Sequence, residues 1–143
     1  MSFDLKIFQG DLKIGNNGDV EQVVGAEKLT QDILKIVTTP IGGNIFFPWY
    51  GSPITNILIG NSLDTKFIFE LSKSQITTAL ERLQELQKTQ SQSYQKTEPS
   101  EMIGAIKDVL LERNQTDPRY FSVMITVLNK AFNRVNAVFD VTL

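Results

Sequence analysis

The chain has 143 residues, a net charge of −2 and neither cysteine nor histidine. One domain is the natural expectation for that length, with roughly two thirds of the unfolded surface buried on folding. Without Cys or His there is no disulfide framework, no Ser-His-Asp or Cys-His catalysis and no ordinary zinc site, and 14 basic residues interspersed with 16 acidic ones give no basic stripe for nucleic acid.

The first residues, Met1-Ser2-Phe3-Asp4-Leu5-Lys6, lack a basic region followed by an apolar run, so no signal peptide is expected. Phe3, Leu5 and Ile7 alternate with Asp4 and Lys6, the pattern of a half-buried strand, and Leu12 and Ile14 continue it after Gly10. Asn16-Asn17-Gly18-Asp19 predicts a tight turn, because Asn-Gly supports the positive φ of primed hairpin turns. Val20 to Val24 is the return strand, ended by Gly25. Ala26, Leu29, Ile33, Ile36 and Val37 then fall at helical spacing and form one apolar stripe. Lys28 and Asp32 are four apart on this helix and pair weakly, at a few tenths of a kcal/mol. Pro40 stops the helix.

Ile41 to Pro53 is a loop rich in glycine, proline and aromatics. Phe46, Phe47 and Trp49 either plug the end of the core or face a partner, since aromatics are enriched at both kinds of site. Ile54 to Leu58 reads as a short helical turn. A long helix is predicted from about Asp64 to Lys88, with Ile68, Leu71, Ile76, Ala79, Leu80, Leu83 and Leu86 as its stripe. The polar stretch 89–97 resembles a linker but is too short to separate two domains, so residues 1–143 read as one. Pro99 suits the first position of a further helix, with Met102, Ile106, Val109 and Leu110 as its buried face. Two strands end the chain: Phe121, Val123, Ile125 and Val127 alternate in one, and Val135, Ala137, Phe139, Val141 and Leu143 in the other, with a turn at Asn129-Lys130.

Those elements predict a small α+β domain: N- and C-terminal hairpins in one mixed or antiparallel sheet, with helices packed on one face. No apolar run approaches the ~20 residues needed to span a bilayer. Phosphate-binding glycine loops are absent, and no cofactor or metal is expected. Catalysis would need paired carboxylates. Asp11 and Asp19 flank a turn, and Glu98 and Glu101 flank a helix start, so both pairs fit surface roles better.

Three short motifs occur in a fixed order: Val23-Val24-Gly25-Ala26-Glu27-Lys28-Leu29-Thr30-Gln31-Asp32-Ile33, then Trp49-Tyr50-Gly51-Ser52, then Asp117-Pro118-Arg119 before the final hairpin. In that order they resemble the gene-25-like (GPW) baseplate wedge family of contractile phage tails, from about Asp11 to Leu143. The family covers phage tails, bacteriocin-like particles and secretion systems. The resemblance implies a structural, non-enzymatic protein that joins the wedge core to the first sheath ring and initiates the sheath. It also implies several copies in a sixfold virion tail baseplate assembled in the host cytoplasm. Its partners would be wedge proteins with a helical core bundle, the sheath protein and the tail tube or hub, with no nucleic acid and no membrane insertion.

By the same resemblance Asp117, Pro118 and Arg119 would meet the wedge core, where the family carries Glu-Pro-Arg. Arg offers a planar fork of donors and Pro fixes the backbone. Without a partner, Arg119 would simply pair with Asp117 at the surface. Trp49 and Tyr50 are candidates for a partner-facing loop. Val135, Asn136, Ala137, Val138 and Phe139 are the candidate segment for strand exchange with the sheath. The competing readings are a tail-associated, lysozyme-like peptidoglycan hydrolase and an adaptor unrelated to contractile machines.

Overall fold

A computed structural model describes residues 3–58, 65–93, 96–117 and 119–142. Four two-residue strands open the chain: β1 (Asp4–Leu5), β2 (Ile7–Phe8), β3 (Asp11–Leu12) and β4 (Gln22–Val23). β1 pairs antiparallel with β4, and β2 with β3. The inner hairpin turns through Gln9 and Gly10, both at positive φ (52° and 84°), the geometry of a primed turn. The expected turn at Asn16-Asn17-Gly18-Asp19 forms, but by another route. Only Gly18 is at positive φ there, its N–H donates to the Gly15 carbonyl, and the Gly15 N–H donates to the Asp19 carbonyl. That is a three-residue loop closed by a left-handed glycine.

The alternation of the first strand is real, yet it faces the other way from the expectation. Phe3, Leu5 and Ile7 are exposed, while Asp4 and Lys6 are half-buried. Polar groups on the first long helix account for the reversal, because they bind Asp4 and Lys6 and leave the apolar side chains outside.

Helix α1 (Gly25–Thr38) buries Leu29, Ile33, Ile36 and Val37, whereas Ala26 is exposed. Its end is set by Pro40, and the Thr39 N–H closes the last turn on the Lys35 carbonyl. Helix α2 (Ile54–Leu58) is the predicted short turn. Helix α3 (Thr65–Gln92) runs four residues past the predicted end into the polar stretch, so only its remainder is a connection. Ile68, Ile76, Ala79, Leu80 and Leu83 are its buried face.

Pro99 does start a helical turn, with Glu98 and Glu101 forming a reciprocal capping box, but it is a single 3-10 turn (Pro99–Glu101). The predicted helix beyond it is a strand. β5 (Ile103–Arg113) pairs antiparallel with β6 (Tyr120–Asn129), which pairs antiparallel with β7 (Arg134–Thr142). The sheet order is β5-β6-β7, and the N-terminal strands form two separate two-stranded ladders rather than joining it. Their two-residue lengths, cut by Gly10, Gly15 and Gly18, leave nothing long enough to extend a ten-residue partner.

Both long helices cover one face of the sheet, α1 over β7 and α3 over β5. Phe121, Val123, Ile125 and Val127 from β6 form the centre of the core, joined by Val135 and Ala137 from β7. Each fully buried apolar side chain contributes about 1.5–3 kcal/mol relative to exposure. Phe69 meets Phe121 edge-on, with centroids 5.7 Å apart, and the Arg113 guanidinium lies 4.8 Å from the same ring. The β6–β7 loop turns through residues 130–132 and places Phe132 at φ 62°.

Candidate functional site

The backbone of β7 is the first surface to consider. Its pairing with β6 runs from Thr142 to Arg134 without a register break. The Asn129 N–H donates directly across to the Asn133 carbonyl at 3.0 Å. Antiparallel alternation then turns the N–H groups of Val135, Ala137, Phe139 and Val141 toward β6. Those of Arg134, Asn136, Val138, Asp140 and Thr142 point to the free edge. Among the described residues no side chain or strand accepts from them. Val135 and Ala137 are buried, whereas Asn136 and Val138 are exposed and Phe139 is half-buried.

The opposite edge differs. β5 carries two register shifts, between Ile103 and Ala105 and between Ile106 and Asp108. Asp108 Oδ1 accepts the Val109 N–H at 2.9 Å, on the side facing away from β6. Bulges and a side-chain cap are two means of blunting an edge strand. The sheet therefore has one protected edge and one open edge.

The second surface is the β5–β6 junction. Asn114 Oδ1 accepts the N–H groups of Thr116 (2.8 Å) and Asp117 (3.4 Å). Asp117 accepts the Arg119 N–H at 3.1 Å and grips its guanidinium at both oxygens, 3.2 Å from Nε and 3.1 Å from Nη2. The Arg119 hydrogen bonds hold the Asp117 carboxyl below its usual value. Arg119 remains largely exposed. Pro118 lies outside the described residues.

The third surface is the loop from Pro40 to Ser52. Its base is fixed from within: the Ser52 hydroxyl, fully buried, donates to the Val37 carbonyl at 2.6 Å, and the Ser52 N–H donates to the Thr39 carbonyl at 2.9 Å. Tyr50 is half-buried and packs against the core. Burial raises the Tyr50 phenol, and the nearby Asp32 and Asp4 charges add to that. Trp49 is 43% exposed, and its carbonyl accepts from Arg82 Nη1 at 3.1 Å. Of the aromatics weighed for a core plug, Phe46 is 85% and Phe47 53% exposed, and Ile45 beside them is 89% exposed. Asn44 Oδ1 accepts the N–H groups of Phe46 and Phe47, which fixes the tip in this outward position. No charged residue occurs between Lys35 and Asp64. Ile45 was not among the residues expected there, and the uncharged run alone does not separate it from Ile54 of the same run, which is buried.

A polar cluster joins the N-terminal ladders to α1. Gln31 donates to Asp4 Oδ2 (2.9 Å) and the Leu5 carbonyl (2.8 Å), and accepts the Ile7 N–H (2.9 Å). Lys35 pairs with Asp4. Lys28 and Asp32 meet at 2.9 Å, with both side chains more than four-fifths buried, which is a more enclosed pair than their spacing alone implied. Burial is the largest influence on Asp4 and would raise it, but Lys35, Gln31 and the Leu5 N–H together hold it below the usual value. For Asp32 burial wins over the lysines and pushes its carboxyl up. The other carboxylates singled out in sequence do local work: Asp11 accepts the Leu12 N–H, and Asp19 bonds Asn17. Among the described residues no group of three or more carboxylates is placed to hold a metal ion.

The structure does not gather these three surfaces into one site. The C-terminal end of β7 lies beside the Asp117–Arg119 turn, with Thr142 opposite Tyr120 and Asp140 lining a pocket with Asn114 and Tyr120, but the aromatic loop does not line that pocket. No family model and no curated protein matches the chain. Among solved structures it superposes on a protein of Geobacter sulfurreducens described as a "putative tail lysozyme", with a TM-score of 0.60 and 17% identity over 82% of this chain and 89% of that one. The chain thus shares the α+β fold of that protein over the matched part of both chains.

Proposed function

We propose that this chain is a structural baseplate component that joins a wedge core to the first sheath ring and starts sheath assembly in a contractile tail or injection machine. The observation that carries this reading is the open edge of β7, unbulged and uncapped beside a β5 edge that is both. A sheath strand added there would gain backbone hydrogen bonds, each contributing about 0.5–1.5 kcal/mol net, with specificity from the exposed side chains of Asn136 and Val138. The fold shared with a protein described as a tail lysozyme and the order of the three motifs support the same reading. In it the chain acts several times around a sixfold baseplate, and Asp117, Pro118 and Arg119 meet the helical wedge core.

Proline substitutions test the edge. Asn136→Pro and Val138→Pro remove outward N–H groups and leave the β6–β7 ladder intact, whereas Ala137→Pro removes a ladder donor. The first two variants are expected to keep the circular dichroism and unfolding midpoint of a folded protein while failing to nucleate the cognate sheath subunit. Ala137→Pro is expected to lose the fold. Nucleation at the wild-type rate by folded Asn136→Pro and Val138→Pro would place sheath attachment elsewhere.

A second reading, tail-associated peptidoglycan hydrolysis, draws on the neighbour's description and on Asp32, raised beside a lowered Asp4. Lysines already hold both carboxylates, which favours a structural role. Peptidoglycan turnover by the wild type that Asp32→Asn abolishes would replace the structural reading.

A further inference from the structure

We propose that the surface of α3 beside Trp49, together with the aromatic loop tip, receives an amphipathic helix of a partner protein that carries Lys or Arg beside its apolar stripe. The surface is a groove of about 300 Å³ lined by Trp49, Leu86, Thr78 and Thr89 and by the charged side chains of Glu81, Arg82 and Glu85. Two threonines do not make it polar. Thr78 Oγ1 donates to the Ser74 carbonyl and Thr89 Oγ1 to the Glu85 carbonyl, both at 3.0 Å, so neither hydroxyl proton is left for a ligand. Arg82 donates to the Trp49 carbonyl and keeps its charge, so Glu81, Glu85 and Arg82 together leave the groove with a net charge of −1.

The shape selects a helix. The lining positions recur at three- and four-residue steps along α3, which makes a shallow furrow between helical ridges. An approaching strand would find no open backbone there, because the N–H groups of a helix interior are already bonded. Charge selects the flanks. Glu81 and Glu85 are exposed and four apart, where like charges repel. Among the described residues neither carboxylate has an ion-pair partner. The tip extends the apolar surface through Phe47, which meets Trp49 edge-on at 5.8 Å, and the neighbouring Phe46 and Ile45 are exposed. This inference does not depend on the sheath edge, since α3 and β7 lie in different parts of the fold.

Two synthetic helical peptides of about 18 residues, roughly five helical turns, serve as probes. They share one leucine stripe and differ in lysine or glutamate flanks. Fluorescence anisotropy should show saturable one-to-one binding of the lysine peptide and at least about tenfold weaker binding of the glutamate peptide. The double variant Glu81→Lys/Glu85→Lys should reverse that preference. Phe46→Ser/Phe47→Ser, with both side chains exposed, should weaken both peptides while leaving the circular dichroism and sheath nucleation unchanged. Binding of neither peptide, or the same preference in the charge-reversed variant, would overturn the proposal. So would finding, in place of peptide binding, a Phe46/Phe47-dependent dimer in sedimentation or co-sedimentation with phosphatidylcholine–phosphatidylglycerol vesicles.

Discussion

Gly51 shows how a single residue fixes the aromatic loop. Its φ is +117°, and a Cβ there would lie 2.3 Å from the Thr39 carbonyl oxygen. Gly51→Ala must therefore open the base of the loop, at a cost of about 3 kcal/mol or more. Trp49 is the only tryptophan, so its emission should shift in the folded variant and its urea midpoint should fall. The Tyr-Gly-Ser segment was visible in the sequence. Its reason was not, because the obstacle is the backbone of Thr39, fixed by the end of α1. Asp4 and Asp32 differ in the sign of their effect on stability. A lowered folded pKa, as at Asp4, stabilises above the ordinary value of 3.8, and that stabilisation is lost as pH falls through the folded pKa. A raised one, as at Asp32, costs stability at neutral pH, and the cost vanishes as pH falls through the folded pKa toward 3.8. Urea titrations at pH 7 and pH 4 should show that the stability difference between wild type and Asp32→Asn shrinks over this range. The destabilisation by Asp4→Asn should persist at pH 4 and shrink only below it.

At the scale of elements, β6 and β7 were legible because their alternation is unbroken, and α1 and α3 because their stripes are long. The helical spacing along β5 has a physical reason. Its inward positions are Ile103, Ile106, Val109, Leu111 and Arg113, each opposite an inward residue of β6 or in the core. The two bulges stretch the first steps from two residues to three, and a three-residue step imitates a helical stripe. Gly104 sits at the first bulge, where a Cβ would meet the Asn129 and Leu128 carbonyl oxygens at 3.0 and 3.1 Å. Those oxygens belong to strand backbone and cannot swing aside as a side chain would. Gly104→Val should thus cost about 1–3 kcal/mol by overpacking, measured as a lower urea midpoint. A lost bulge would also move the N-terminal end of β5 to the opposite face.

For the whole molecule, the sequence indicated the α+β class and the helix-covered sheet, but not the isolation of the N-terminal ladders. The glycines that shorten those strands stand in the sequence, but Gln31 and Lys35, which hold the ladders against α1, join segments whose contact hydrophobic periodicity does not record. The three candidate surfaces likewise became distinguishable only in three dimensions. At the turn, Arg119 is already satisfied by Asp117 in the free chain. Arg119→Ala is accordingly expected to leave the unfolding midpoint of the isolated protein unchanged and to weaken binding to wedge proteins by about tenfold or more, through loss of an interfacial charge. Unchanged wedge binding in a pull-down titration, or an unfolded variant, would assign the pair a purely local role.

The period of two along β7 has a consequence for how this chain can diverge. Odd-numbered residues supply both the core side chains and the donors to β6, while even-numbered residues supply both the solvent-facing side chains and the unused donors. Foldability and edge specificity are thus encoded in two interleaved sets of positions that share no member. Descendants can rewrite Asn136, Val138 and Asp140 to follow a changing partner while Val135 and Ala137 stay under purifying selection for the core. Substitution rates along this one strand should therefore rise and fall with every residue.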